Sequence, residues 1–195
     1  GVLLERRGLS MSREVMNAML GRRPLESMQV LIEYWDLKVG PVELLAESQL
    51  IFQTLLESRL EPMPGLFDLL HLIEANGLPK GVATSSPRDH LAGIFERFDL
   101  SRRFPLQLTA ESVTLGKPHP EIYLKAAAHW GIPAAEMLIL EDTQTGTCAG
   151  AAAGAFVVSI PHDHTADHDF SQASYVATSL SDPYIRQLVT SGTAS

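Results

Sequence analysis

The spacing of apolar residues changes character about one third of the way along the chain. Up to that point the apolar positions recur every three or four residues, which is typical of amphipathic helices. This pattern predicts helices over 12–20, 24–36 and 41–60, with Gly21 and Gly40 as breaks between them. The first part of the chain is therefore expected to be helical throughout.

The second part alternates short apolar runs with further helical segments. The pattern predicts, in order, helix 65–76, strand 80–84, helix 87–98, strand 105–109, helix 120–130, strand 137–141, helix 145–153, strand 155–160, a short strand near 174–177 and a terminal helix near 181–190. Such alternation is typical of an α/β fold, in which a parallel sheet carries helices on both faces. Ligands of these sheets bind at the carboxyl ends of the strands.

The segment Glu61-Pro62-Met63-Pro64-Gly65 separates the two patterns. Two prolines and a glycine within five residues stop a helix and stiffen the connection. We expect a helical unit over residues 1–62 and an α/β unit over residues 63–195.

Composition and charge narrow the class of protein. The 195 residues are 45% hydrophobic and 19% charged, enough for one sizeable core and a small accessory unit. A net charge of −8 without a long basic run argues against nucleic acid or an anionic membrane as partner. The single cysteine, Cys148, excludes an internal disulfide and fits the cytoplasm. The longest mainly apolar stretch, 148–160, is too short to cross a bilayer.

Two adjacent carboxylates, Glu141 and Asp142, follow the apolar run 137–140 and precede a helix. Because the two groups repel each other, a divalent cation with oxygen ligands would relieve the pair. The alternative is a solvated acidic turn in which Asp142 or Thr143 caps the helix.

A turn of three hydroxyl residues, Thr84, Ser85 and Ser86, follows the strand predicted at 80–84. Ser86 suits the N-cap of the next helix, Pro87 its first position and Asp89 the place of a capping-box acid. The Thr84 hydroxyl and the backbone N–H groups of the turn then form a cradle for an anion. A capped helix alone explains Ser86 and Pro87, but it requires neither Thr84 nor Ser85.

A third segment places Lys117 between Gly116 and Pro118 just before a helix. The flanking prolines restrict the backbone, so the ammonium group is held more rigidly than in a typical surface lysine. The alternative is a lysine solvated in a loop.

In this order, the hydroxyl turn, the Gly-Lys-Pro loop and the Glu-Asp pair resemble the second, third and fourth motifs of the haloacid dehalogenase superfamily. The resemblance is closest to its phosphoglycolate phosphatase and β-phosphoglucomutase-like branch. It covers nearly the whole chain and implies a Rossmann-like core with a helical cap over residues 1–62. Thr84 matches the second motif, Lys117 the third, and Glu141 with Asp142 the fourth.

The superfamily's first motif, a central strand ending in Asp-x-Asp-x-Thr, has no match in these 195 residues. In the family its first Asp is the nucleophile and its second the general acid and base. We therefore expect an N-terminally truncated enzyme that is inactive as it stands. The strands at 80–84 and 137–141 should be separated by about twice the usual 4.8 Å spacing, around which Thr84, Lys117 and Asp142 converge.

The resemblance implies a Mg²⁺-dependent phosphatase that hydrolyses a small phosphomonoester, such as a phosphosugar or a phosphoglycolate-like compound, through an aspartyl-phosphate. The implied site comprises catalytic Thr84 and Lys117, phosphate-binding Ser85 and Ser86, Mg²⁺ ligands Glu141 and Asp142, and Arg22 and Arg23 in the cap loop that reads the leaving group.

Three other functions remain open. A β-phosphoglucomutase-type mutase shares every motif present, although its cap loop carries an Arg where this chain has Pro24. A 2-haloacid dehalogenase needs no metal and would not be expected to carry both Glu141 and Asp142. A non-catalytic binding or regulatory protein could have lost the first motif.

The residues His162-Asp163-His164-Thr165-Ala166-Asp167-His168-Asp169 could bind a transition metal, but we expect a solvated loop there.

Overall fold

The computed structural model describes residues 2–19 and 22–191. Its first part contains the helices α1 (Val2–Glu5), α2 (Arg13–Met19), α3 (Pro24–Trp35) and α4 (Pro41–Arg59). Pro24 and Pro41 each occupy the first turn of their helix, where the missing N–H is not needed. Leu20 and Gly21, at which α2 was expected to end, lie outside the described residues.

These helices surround a core of their own, whose buried members among the described side chains all precede position 52. Its buried members are Leu3, Leu4, Val15, Met28, Leu31, Leu44 and Ile51. None of the described helices is both long and apolar enough to cross a membrane.

The second part follows the predicted order of helices and strands. It consists of α5 (Leu66–Ala75), β1 (Gly81–Ala83), α6 (Arg88–Arg97), β2 (Leu106–Leu108), α7 (Glu121–Trp130), β3 (Leu138–Glu141), α8 (Gln144–Ala152), β4 (Phe156–Ser159), β5 (Tyr175–Val176) and α9 (Pro183–Ser191). Short 3₁₀ turns at Ala110–Ser112 and Ala134–Glu136 were not predicted. Helix α7 ends, as predicted, at Gly131, whose φ of 65° suits glycine.

All strand pairs are parallel, which confirms the α/β class. β1 pairs with β2, and β4 lies between β3 and β5, so that the described strands form two separate sheets. The short β5 pairs with β4 through residues 158 and 159.

A cavity of about 800 Å³ lies between the two sheets. Residues of both β1 and β3 line it, together with Trp130 and Lys80. Since β1 and β3 belong to different sheets and face a common cavity, the expected separation of these two strands is confirmed. The width of that separation stays a prediction.

Candidate active site

Lys117 connects the carboxyl ends of β1 and β3. Its ammonium group donates to the Ala83 carbonyl oxygen at 3.1 Å and forms an ion pair with the Glu141 carboxylate. Lys117 is only 7% exposed and Glu141 only 8%. Burial excludes the alternative of a lysine solvated in a loop. It also means that neither charge can lose its partner without remaining uncompensated in the interior.

Tyr123 of α7 is a third member of this cluster and was not predicted. Its hydroxyl donates to Glu141 Oε1, the same oxygen that accepts from Lys117, and its ring centre lies 5.0 Å from Lys117 Nζ. Burial first, and the negative charge of Glu141 second, hold the pKa of Tyr123 well above its usual value. The phenol therefore stays protonated and remains a donor to the carboxylate.

The start of α8 is shaped around the same carboxylate. Thr143 caps the helix by accepting from the Gly146 N–H at 3.1 Å. The sequence offered Thr143 as a cap within a solvated acidic turn, but the turn is not solvated at Glu141, which is buried. A Cβ added at Gly146 would lie only 1.9 Å from Glu141 Oε2. Glycine is thus required at position 146 if Glu141 is to keep its place.

Asp142 occupies a different environment from Glu141. Its side chain is 59% exposed, and Oδ2 lies 3.5 Å from His162 Nε2. Loss of hydration around the carboxylate, and then the neighbouring charge of Glu141, raise the pKa of Asp142. Within the described residues no group of three or more His, Cys, Asp or Glu could hold a metal ion. Metal binding by Glu141 and Asp142 stays a prediction.

The Thr84 hydroxyl takes part in a local turn. It accepts a hydrogen bond from the Ser86 N–H at 3.0 Å, while the Thr84 N–H donates to the Leu108 carbonyl at 2.9 Å. The carbonyl of Ser86 accepts from the Ala110 N–H at 3.0 Å, which fixes the turn to the end of β2. The phosphate-binding roles of Thr84, Ser85 and Ser86 stay predictions.

The helix after this turn begins later than predicted. Pro87 is the N-cap of α6, so the assignment of Ser86 to that position is wrong. Asp89 forms no capping box; instead Glu111 accepts from the Arg88 N–H at 3.3 Å. A carboxylate from another segment, which local spacing does not reveal, thus accepts from one N–H group of the first turn of α6.

The two arginines that precede α3, Arg22 and Arg23, have different surroundings. Arg23 donates to the Thr114 carbonyl oxygen at 2.9 Å, beside the loop that carries Lys117. Arg22 is exposed and lines a surface groove with residues 114–120. Substrate contact by either arginine stays a prediction, but only Arg22 lines this groove.

The histidine-rich segment 162–169 is a mostly exposed loop, as expected, and it also makes long-range contacts. Arg13 of α2 forms an ion pair with Asp167 at 3.0 Å. His168 Nδ1 accepts from the Gln144 N–H at 3.2 Å, at the start of α8. Together with the contact between His162 and Asp142, these interactions place the segment between α2 and the candidate site.

The Glu121 carboxylate holds the backbone before Lys117. It accepts from the N–H groups of Thr114 at 2.9 Å and Leu115 at 2.8 Å, and forms an ion pair with Lys125 at 2.8 Å. These contacts, with Lys125 the largest contributor, lower the pKa of Glu121 from 4.5 to about 2.

We expect the stability contributed by ionised Glu121 to be lost as the pH falls from 4.5 towards about 2. The folded-state pKa lies below the unfolded one, so this contribution is complete above the unfolded value. A ¹³C NMR titration of the glutamate carboxyl groups measures the Glu121 pKa in the folded protein. Lys125→Met should raise the Glu121 midpoint, and Lys38→Met should not. A Glu121 midpoint near 4.5 in the unaltered protein would contradict the expectation.

Comparison with known proteins adds a family to this geometry. Residues 2–160 match the family described as haloacid dehalogenase-like hydrolase. The chain is 29% identical over 187 residues to a probable pseudouridine-5'-phosphatase of Drosophila melanogaster. This match covers 93% of this chain and 80% of the relative. It is 27% identical over 164 residues to the bifunctional riboflavin kinase/FMN phosphatase of Arabidopsis thaliana. That match covers 84% of this chain but only 43% of the relative.

Solved structures show the same fold. The crystal structure of CbbY from Rhodobacter sphaeroides in complex with phosphate superposes with a TM-score of 0.81. The match covers 92% of this chain and 84% of CbbY at 19% sequence identity. The two parallel sheets and the helices around them are thus those of a haloacid dehalogenase-type Rossmann-like fold.

Proposed function

Because the chain belongs to the haloacid dehalogenase-like hydrolase family, we propose that it forms most of a Mg²⁺-dependent phosphatase for a small phosphomonoester. The observation that carries the proposal is the buried Lys117, which joins the ends of β1 and β3 next to the exposed carboxylate of Asp142. A fixed positive charge beside a candidate metal ligand is what transfer of a phosphoryl group requires.

The nucleophile is proposed to come from a strand that fits between β1 and β3. The cavity between the two sheets is lined by both strands. Lys117 links the carboxyl ends of these two strands. A strand ending there in Asp-x-Asp-x-Thr would place its first Asp beside Lys117, ready to attack phosphorus. The second Asp would protonate the leaving group and then activate water. Residues 1–195 without such a strand should be inactive.

The residues of this chain would then stabilise the charge that develops on the phosphoryl oxygens. Lys117 supplies a positive charge, and Glu141 with Tyr123 keeps its ammonium in position. The Thr84 hydroxyl and the amides of 84–86 supply hydrogen-bond donors at the end of β1. We propose that residues 1–62 act as the cap and residues 63–195 as the core, since the first helices have a hydrophobic cluster of their own.

The residues present suit Mg²⁺. Loss of hydration and then the charge of the neighbouring Glu141 raise the pKa of Asp142, and a bound cation would relieve the repulsion between the two carboxylates. Mg²⁺ needs only one or two protein carboxylates and keeps several waters. We propose Asp142 as a ligand from this chain, with Glu141 contributing through its charge or as a further ligand. When bound, the ion would offset the charge of the phosphoryl group.

We infer the substrate class from the proposed phosphoryl transfer and from the names of two relatives. The fly and plant relatives are named as phosphatases of pseudouridine-5'-phosphate and of FMN. We propose a phosphorylated small molecule of this kind, with its leaving group read by the cap loop at Arg22.

Asp142→Asn is expected to weaken Mg²⁺ binding by about 10–100-fold, because it removes the exposed carboxylate of the pair. ¹H–¹⁵N NMR of the 195-residue chain during a Mg²⁺ titration measures this through the amide shifts of residues 141–144. Asp163→Asn, which removes a carboxylate from the adjacent loop, is the matched control and should leave the titration unchanged. Equal Mg²⁺ responses in the Asp142→Asn variant and the unaltered chain would reject the metal assignment.

A further inference from the structure

Arg23 fits against the one residue of the Lys117 loop that has no side chain. A Cβ added at Gly116 would lie 2.6 Å from Arg23 Cγ and 2.7 Å from Cδ. The aliphatic part of Arg23 therefore occupies the space that any other residue at position 116 would fill. Beyond it, the guanidinium donates to the Thr114 carbonyl at 2.9 Å.

The loop from Thr114 to Lys117 is thus held at several points. On the core side, the Glu121 carboxylate accepts from the amides of Thr114 and Leu115. At its end, the Lys117 ammonium reaches Ala83 and Glu141. Arg23 adds a contact from the helical part of the chain. It meets the loop immediately before Lys117.

The steric contact at Gly116 matters more than the hydrogen bond. An exposed guanidinium bonded to a carbonyl can exchange that partner for water at little cost. The aliphatic part of Arg23, by contrast, is packed in the space beside Gly116. This packing persists only while the loop and Arg23 keep their relative positions. Movement of the helical part away from the core therefore removes a support from the loop that carries Lys117.

We propose that Arg23 is a positioning residue that couples the placement of the helical cap to the placement of the Lys117 ammonium. With the cap seated on Gly116, the backbone of residues 114–117 keeps the ammonium between the ends of β1 and β3. With the cap displaced, that backbone loosens and Lys117 samples other positions. The inference rests on the proposed function only for the role of Lys117 in phosphoryl transfer; the coupling itself concerns structure.

Two NMR readouts on the 195-residue chain test the coupling without any need for activity. The first is the ¹³Cε–¹⁵Nζ signal of Lys117, which is one of only four lysines. The second is the rate of hydrogen exchange at the Thr114 and Leu115 amides. Arg23→Ala should shift or broaden the Lys117 signal and speed this exchange about three- to tenfold. Arg22→Ala, at the neighbouring position, should change neither readout.

Gly116→Ala gives a sharper test because it collides with Arg23. Alone, it should disturb the Lys117 signal at least as strongly as Arg23→Ala. Added to Arg23→Ala, it should have little further effect, since the stem that it strikes is gone. Equal effects of Gly116→Ala in both backgrounds would overturn the proposal, and so would an unchanged Lys117 signal in Arg23→Ala. These outcomes are independent of Mg²⁺ binding at Asp142, on which the proposed function is tested.

Discussion

A protein in which a strand ending in Asp-x-Asp-x-Thr precedes residues 1–195 should hydrolyse small phosphomonoesters at least about 10⁴-fold faster than residues 1–195 alone. Removing a nucleophile from a covalent mechanism typically lowers the rate by about this factor or more. The described residues supply a positive charge at Lys117 and an exposed carboxylate at Asp142. Steady-state release of inorganic phosphate from an aryl phosphate, with and without Mg²⁺, measures the difference.

The matched control keeps the added strand and replaces its first Asp by Asn. This variant should fill the same cavity and gain the same stability, yet it should hydrolyse no faster than the shorter chain. Robust turnover by residues 1–195 themselves would contradict the proposed origin of the nucleophile. Equal activity of the Asp and Asn forms would do the same.

Lys117→Met should lower the free energy of unfolding of the 195-residue chain by about 3–5 kcal/mol, because it leaves the Glu141 carboxylate buried without its cation. Both partners are less than a tenth exposed, and Tyr123 alone cannot balance the charge. Urea denaturation followed by circular dichroism measures the change.

Two further variants separate the buried pair from a general loss of charge. Lys38 forms an exposed ion pair with Asp36, in which the side chains are 81% and 85% exposed, so Lys38→Met should cost less than about 1 kcal/mol. Adding Glu141→Gln to Lys117→Met should restore at least half of the lost stability, since no charge then remains uncompensated. A Lys117→Met variant as stable as Lys38→Met would show that the pair is not a buried one in solution.

The predicted order of elements holds because each depends on local spacing. Strand and helix positions follow from the apolar period, and α7 ends at Gly131, in agreement with the helix predicted over 120–130. Lys117, Glu141 and Asp142 were placed near one another because parallel strands end on the same edge of a sheet. That argument requires only the approximate positions of the strands, which local spacing supplies.

The contacts that were missed depend on partners far away along the chain. Tyr123 reads as one more apolar residue of α7, since nothing in its neighbourhood indicates that its hydroxyl meets Glu141. The segment 162–169 reads as a polar loop, and its ion pair with Arg13 joins residues about 150 positions apart. The start of α6 was misplaced for the same reason, because Glu111 caps it from a separate turn.

The two strands that face the cavity also bear on how the molecule behaves at high concentration. Each of β1 and β3 has a strand neighbour on one side only among the described residues, so its other edge presents N–H and C=O groups to the cavity. Edges of this kind can pair with an extended segment of any chain, including another copy of the same protein. Lys80 lies at the cavity wall, and charged lysines at strand edges disfavour such pairing. A strand that filled the cavity would therefore also protect the protein from self-association through its backbone.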